Sequence, residues 1–215
     1  MRSNSRMVTQ QNKERFHQSL FEHGKIQFGE FRMKVHQTNP NAPLSPIYLN
    51  IRDLPDWLYS LSGDLLHDLL PDGIEEFDYV IGIPKAGEPI GKAFAKAVGK
   101  PLLHIQKEEG GGERKITSTI LDPFTRNSNV ILVDDLITKA HTKREAIESI
   151  EFNGLNVVAT LVLYDREQGG LKELNDSGRK TYAVSSLSEM MAFFVETKKI
   201  KPEEKEKVMA YIKAN

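Results

Sequence analysis

The chain has no cysteine, a single tryptophan and no apolar run approaching the roughly 20 residues that a membrane-spanning helix needs. Without thiols there are no disulfides and no thiolate metal sites, and a reducing compartment, the cytoplasm, is the expectation. Charge of one sign is lacking too. Lys and Arg number 29 against 30 Asp and Glu, a formal net charge of −1, which removes the general electrostatic route to nucleic acid. The polar opening MRSNSRMVTQQNKERF has no apolar core of the kind a secretory signal carries, and residues 1–8 read as a mobile tail. There is no internal repeat, and no low-complexity stretch longer than the triplet Gly110–Gly112. What remains is 215 residues, 39% hydrophobic and 27% charged. That suits one large α/β domain, or one domain with a small appendage, and neither nucleic acid nor membrane is an expected partner.

Periodicity divides this length into elements. Residues 10–22 have helical spacing, SPIYLNIR (45–52) reads as a short strand, and 53–70 place apolar residues at helical intervals. An alternation follows: strand 78–83, helix 87–99 closed by Gly99, strand 101–105, strand 129–133, helix 141–153 closed by Gly154, strand 156–164 and strand 180–186. Helices are expected over 187–197 and 202–213. Strands that are apolar throughout and alternate with helices predict a mostly parallel central sheet covered on both faces. Ligands then sit at the carboxyl ends of the strands, which singles out 84–88, 134–142 and 165–170. The segment 106–117, with its EEGGGERK, reads as a mobile loop.

The stretch VILVDDLITKAHTKREAIESI (130–150) raises the sharpest question. Four apolar residues predict a buried strand ending on Asp134–Asp135, two carboxylates whose repulsion costs stability unless something binds there. Adjacent acids are often no more than a solvated turn. At a central strand end, however, they suit a polyol or a hydrated cation. The helix that follows offers its free N–H groups to an anion. Together they point to a sugar phosphate. No GxxxxGK[ST] and no GxGxxG after a strand occurs, so neither a Walker loop nor a dinucleotide fingerprint is present.

These residues resemble the signature of the type I phosphoribosyltransferases for phosphoribosyl diphosphate (PRPP), and the likeness extends to orotate phosphoribosyltransferase through FGEFRMK with SPIYLNIR, VIGIPKAGEPIGKAFAKAVGKPLLHIQKE and LYDREQGG. It covers about residues 25–200. The resemblance implies a phosphoribosyltransferase-like α/β core over 53–215 and an N-terminal helix and hood segment over 9–52. It implies transfer of a phosphoribosyl group from PRPP to orotate or a similar base, with release of diphosphate. Asp134 and Asp135 would hold the ribose hydroxyls, Asp135 also serving the ribosyl centre as it becomes cationic. Thr138, Lys139, Ala140, His141 and Thr142 would cradle the 5′-phosphate, and Lys85 would serve the diphosphate. Arg166 and Lys34 would face the base, and Lys107, with Arg114 and Lys115, would supply catalytic cations. Mg²⁺ is the implied cofactor, held mainly by diphosphate and ribose oxygens rather than by direct protein ligation, and the implied assembly is a homodimer with shared sites.

The sequence also departs from the family pattern. Ala140 and His141 stand where glycine is usual, which implies an altered loop geometry, for which His141 could compensate by donating to the phosphate. Only Lys107 of the family's catalytic loop matches; Arg114 and Lys115 are either replacements or a solvated pair. Glu88 adds a negative charge near an anionic pocket unless it faces away. Two alternatives stay open: a catalytically impaired PRPP-binding paralogue with a regulatory role, and a transferase for another base.

Overall fold

The computed structural model describes residues 2–214 except 38, 72, 73, 75, 111 and 112; the side chains of 2–9, 34, 35, 107–110 and 113–118 also lie outside the description. Helix α1 spans Arg2–Glu22, so the segment expected as a tail is helical from Arg2 onward. The reason is visible in the sequence: no glycine or proline interrupts residues 2–22. Phe16 and Leu20 bury its inner face, and Lys13 ion-pairs with Glu189. Strands β1 (Ile26–Phe31) and β2 (Ser45–Leu49) pair antiparallel, with a 3₁₀ turn over Lys34–Gln37 between them. The sequence reading contained β2 but not β1. Helix α2 (Asp56–Leu69) follows, burying Leu58, Leu61, Leu65 and Leu66.

The alternating part then runs β3 (Tyr79–Gly82), α3 (Gly87–Val98) and β4 (Leu102–Leu103). Next come β5 (Ile105–Gly110) and β6 (Glu113–Ile120), paired antiparallel outside the main sheet. The segment expected as a loop over 106–117 is therefore a β-hairpin. Its return arm, ITSTI, is rich in β-branched residues, which favour a pleated strand over a loop. The chain continues through β7 (Asn129–Ile137), α4 (His141–Phe152), β8 (Asn156–Asp165), α5 (Gly170–Asp176), β9 (Thr181–Ser186), α6 (Leu187–Glu196) and α7 (Pro202–Ala214).

The central sheet has the order β4-β3-β7-β8-β9, and every neighbouring pair in it is parallel. Strand β7 has apolar side chains toward both faces. Ile131 and Val133 join the core that includes Leu58, Phe94 and Met190, while Val130 and Leu132 join the one that includes Ala146, Ile147 and Ile150. All four are fully buried, each worth about 1.5–3 kcal/mol of apolar transfer. The direction of strand addition reverses between β3 and β7, so their carboxyl ends open the crevice where such sheets bind ligands. No helix among the described residues is long and apolar enough to cross a membrane.

Candidate active site

Three segments meet at this crevice. After β3, Ile83 donates its N–H to Val133 O at 2.9 Å, and the chain turns through Pro84–Lys85, a cis peptide, into α3. Gly87 makes the turn possible: a Cβ there would lie 2.6 Å from Val133 O and 2.8 Å from Asp134 Cα. Beyond β7, Gly170 donates to Thr138 O at 2.9 Å, and a Cβ on Gly170 would meet the same carbonyl at 2.7 Å. Arg166 donates its backbone N–H to Ile137 O at 2.9 Å. Two backbone bonds thus lock the loop after β8 onto the loop after β7.

Strand β7 does not stop at the acidic pair. It pairs with β8 as far as Ile137 opposite Asp165, so Asp134 and Asp135 lie inside the strand rather than beyond its end. Lys143, from the first turn of α4, sits with its ammonium 2.6 Å from Asp134 Oδ2 and 2.5 Å from Leu136 O. Asp134 Oδ1 accepts the Asp135 N–H at 2.9 Å, and Asp134 and Lys143 are each only 5% exposed. The expectation that the pair costs stability until a ligand arrives is corrected for Asp134, whose counter-charge is the chain's own. Lys143 was missed by sequence reasoning, although a signal was there. It opens the stripe completed by Ala146, Ile147 and Ile150, the i, i+3, i+4, i+7 positions where a buried helix face calls for an apolar residue.

Asp135 has no such ion pair among the described residues. Its Oδ1 accepts the Leu136 N–H at 2.8 Å. Burial, and next the Asp134 carboxylate, push its carboxyl up from 3.8 to about 7, with Lys143 pulling the other way. Because the folded value is the higher one, the folded state holds a proton that the unfolded chain has already released between these limits. Stability associated with Asp135 is therefore lost as pH rises from about 4 to about 7. We expect Asp135→Asn to melt progressively higher than wild type across that window in the absence of ligand. A difference that stays flat with pH in thermal unfolding would contradict this.

The phosphate loop turns without glycine. Ala140 has φ −74° and ψ −14°, is fully buried, and accepts the Arg144 N–H at 2.9 Å as α4 begins. Neither Ala140 nor His141 has a positive φ. Thr138 and Thr142 are half-buried. His141 is turned outward, its side chain 80% exposed and Nε2 3.3 Å from Glu145 Oε1, so a direct phosphate contact is not its arrangement here. Lys139 and Lys85 are both exposed.

Glu88 faces away from the acidic pair. It approaches His104 Nε2 at 3.6 Å, while His104 Nδ1 lies 2.9 Å from Asp122 Oδ2 at the base of the hairpin. Lys107 lies in β5, Arg114 and Lys115 in β6 and Lys34 in the 3₁₀ turn; their side chains are outside the described ones.

Arg166 is 5% exposed, and its Nε finds no acceptor among the described residues. Burial lowers its pKa, opposed by Tyr211 of α7. The loop that carries it is rigidly built. Asp165 Oδ1 accepts the Glu167 N–H at 2.8 Å, and the Glu167 carboxylate in turn accepts from Ser188 N at 2.7 Å and Ser188 Oγ at 2.8 Å. A buried guanidinium with an unused donor, held on a braced loop, calls for an anion.

A parallel sheet with an acidic pair at its switch point and a helix entering beside it defines an α/β protein of the class that binds ligands at the carboxyl ends of its strands. The Phosphoribosyl transferase domain model matches residues 58–183, and the chain belongs to the phosphoribosyltransferase family. It is 30% identical to orotate phosphoribosyltransferase of Sulfurisphaera tokodaii over 93% of this chain and 98% of that protein. Among solved structures it superposes on Leishmania donovani UMP synthase with a TM-score of 0.79 at 26% identity, covering 94% of this chain and 42% of that longer one. Aeropyrum pernix orotate phosphoribosyltransferase shares the fold with a TM-score of 0.68 at 24% identity, covering 86% of this chain and 98% of that one.

Proposed function

We propose that the protein transfers a phosphoribosyl group from PRPP to orotate, releasing diphosphate. The observation that carries the choice of acceptor is Arg166: a buried, partly unpaired guanidinium beside the ribose end of β7 fits a base bearing a carboxylate. Support for orotate also comes from the names of the relatives. In the reaction a ring nitrogen of the base forms a bond to C1′ of the ribose and gives up its N–H proton to solvent, and the C1′–O bond to diphosphate breaks with its electron pair leaving on the diphosphate. The residues at the end of β7 receive the ribose and stabilise the positive charge that builds on it. The turn 84–87 and the exposed Lys85 face the departing diphosphate, and residues 138–142 with the first turn of α4 cradle the 5′-phosphate.

Mg²⁺ fits this arrangement as an ion carried in by PRPP, and when bound it supplies charge neutralisation on the diphosphate. The hard oxygens around it would be those of the substrate and of water, with the Asp135 carboxylate available to accept from that water. The hairpin β5–β6 is the catalytic arm of this reading, with Lys107 acting on the leaving group and Arg114 and Lys115 beside it. Lys34 and the β1–β2 segment form the hood over the base. The assembly is a cytoplasmic homodimer in which the hairpin serves the neighbour's site.

The test is diphosphate release with PRPP, Mg²⁺ and a panel of orotate, uracil, adenine and hypoxanthine. Turnover with orotate alone is expected. Release with another base instead would retire the orotate reading, and PRPP binding with no release on any base would make the protein a sensor. For the shared site, inactive Lys107→Ala subunits mixed with inactive Asp135→Asn subunits should regain partial activity, since one hybrid site per dimer is complete. Absence of rescue between subunits shown to exchange would remove the shared site.

A further inference from the structure

Arg166 is held through both of its chain neighbours. Asp165, just before it, is the last residue of β8 and pairs with Ile137 of β7 and Ser186 of β9. Glu167, just after it, has φ +57°, a left-handed conformation that glycine adopts freely and other residues only against strain. A glutamate there needs a reason, and its contacts give one. Its N–H donates to Asp165 Oδ1 at 2.8 Å, which closes a tight turn around Arg166. Its carboxylate accepts from Ser188 N at 2.7 Å and from Ser188 Oγ at 2.8 Å, in the first turn of α6. A negative charge at that place is also favoured by the helix dipole. Glu167 thus caps α6 from another loop. It does so beside the helix's own cap, Ser186, whose Oγ accepts the Glu189 N–H at 3.1 Å.

The anchor is itself tied down. The Ser188 hydroxyl gives its proton to Glu167, so the Ser186 hydroxyl, 2.9 Å away, must donate to it. Glu189 accepts from Ser185 Oγ at 2.8 Å and ion-pairs with Lys13 of α1. A hydrogen-bonded chain therefore runs from α1 through α6 to the residue next to Arg166. The guanidinium is less constrained, because its Nε finds no acceptor among the described residues. Its aim then depends on the backbone that carries it. We propose that Glu167 is a positioning residue for the choice of acceptor: its carboxylate, closed on the first turn of α6, fixes the Arg166 backbone so that the guanidinium meets the carboxylate of the base. This rests on the orotate reading given above. Glu167 is exposed and touches no substrate atom, and its effect on the reaction passes through Arg166.

The test is a double-mutant cycle with Arg166→Ala on the full chain. Glu167→Gly suits the backbone at φ +57° and removes the carboxylate, whereas Glu167→Gln keeps the reach and one acceptor. Orotate kcat and KM, PRPP affinity with Mg²⁺ by calorimetry and melting temperature are read for each variant. Glu167→Gly is expected to lower kcat/KM for orotate about tenfold, chiefly as a higher KM, because the carboxylate of the base takes no part in bond making. Glu167→Gln should recover part of that loss. PRPP affinity should stay within about threefold of wild type, since neither residue reads the phosphates. In the Arg166→Ala background the same Glu167→Gly change should lower kcat/KM by less than about twofold, because the group that Glu167 aims is gone. An equal loss in both backgrounds would overturn the proposal, since Glu167 would then act on the site without Arg166. Wild-type kinetics in Glu167→Gly would overturn it as well. Should Glu167→Gly fail to fold, Glu167→Gln and Ser188→Ala decide in its place, with about a threefold loss expected beside Arg166 and none beside Arg166→Ala. A wild-type chain that turns over another base but not orotate would retire the orotate reading, and this role of Glu167 with it. Turnover of orotate with equal losses in both backgrounds would retire only the positioning role.

Discussion

Asp134→Asn should destabilise the protein by about 3–5 kcal/mol, the usual consequence of removing one partner of a buried ion pair and stranding the other. The introduced amide oxygen would still offer an acceptor to the Asp135 N–H, so the backbone of β7 has no reason to shift. The loss falls on Lys143, whose ammonium would keep only Leu136 O at 2.5 Å. For a chain of this size the change corresponds to a fall of roughly 6–20 °C in melting temperature. A measured loss below about 1 kcal/mol would mean that the pair behaves as a solvent-screened surface contact, contrary to its burial. The direction is opposite to what two adjacent carboxylates suggest when read as a sequence, where neutralising either one looks like relief. That intuition still holds for Asp135, whose carboxyl is pushed up to about 7 by burial and by its neighbour.

The contrast between the two aspartates shows where a sequence stops being informative. Strand and helix periodicity located β3, β7, β8 and β9 and the helices α3 and α4, because a sheet buried on both faces leaves an unbroken apolar run such as VILV. The same logic placed the loops at 84–88, 134–142 and 165–170 at one edge, and there they meet. What periodicity could not convey was the end of β7. Strand pairing through Asp134 and Asp135 is decided by β8 running alongside to Asp165, a tertiary fact that overrides the poor β-propensity of aspartate. The hairpin β5–β6 was hidden by the charges and glycines of EEGGGERK, which look like loop composition even though ITSTI on the return arm is strand-like. Helix α5, seven residues long, was too short to show a period. The phosphate loop departs from a glycine turn, as Ala140 and His141 imply. Ala140 replaces glycine without strain because the chain enters α4 directly through right-handed helical angles, and its methyl fills the core beside Ala146 and Ile147.

Arg166→Ala should cut kcat/KM for orotate by roughly 30- to 1000-fold, the equivalent of about 2–4 kcal/mol, because it removes a charge-assisted contact to the acceptor's carboxylate. The side chain is poised for that contact. It is 5% exposed, its Nε lacks an acceptor among the described residues, and its backbone is tied to Ile137 O at 2.9 Å beside the acidic pair. Burial disfavours its charged form, so the ligand-free protein gains little from it; the benefit appears when an anion arrives. Accordingly the stability of the ligand-free variant should change far less than its activity. PRPP affinity should also change little, since the phosphates are read by 138–142 and by the turn at 84–87. An acceptor without a carboxylate, such as uracil, should lose much less than orotate, so the ratio of the two kcat/KM values is the quantity to measure. A ratio unchanged from wild type would mean that Arg166 does not read the carboxylate, and the choice of orotate would then lose its structural support. A collapse of that ratio, with PRPP binding intact, would identify the buried guanidinium as the group that selects the base.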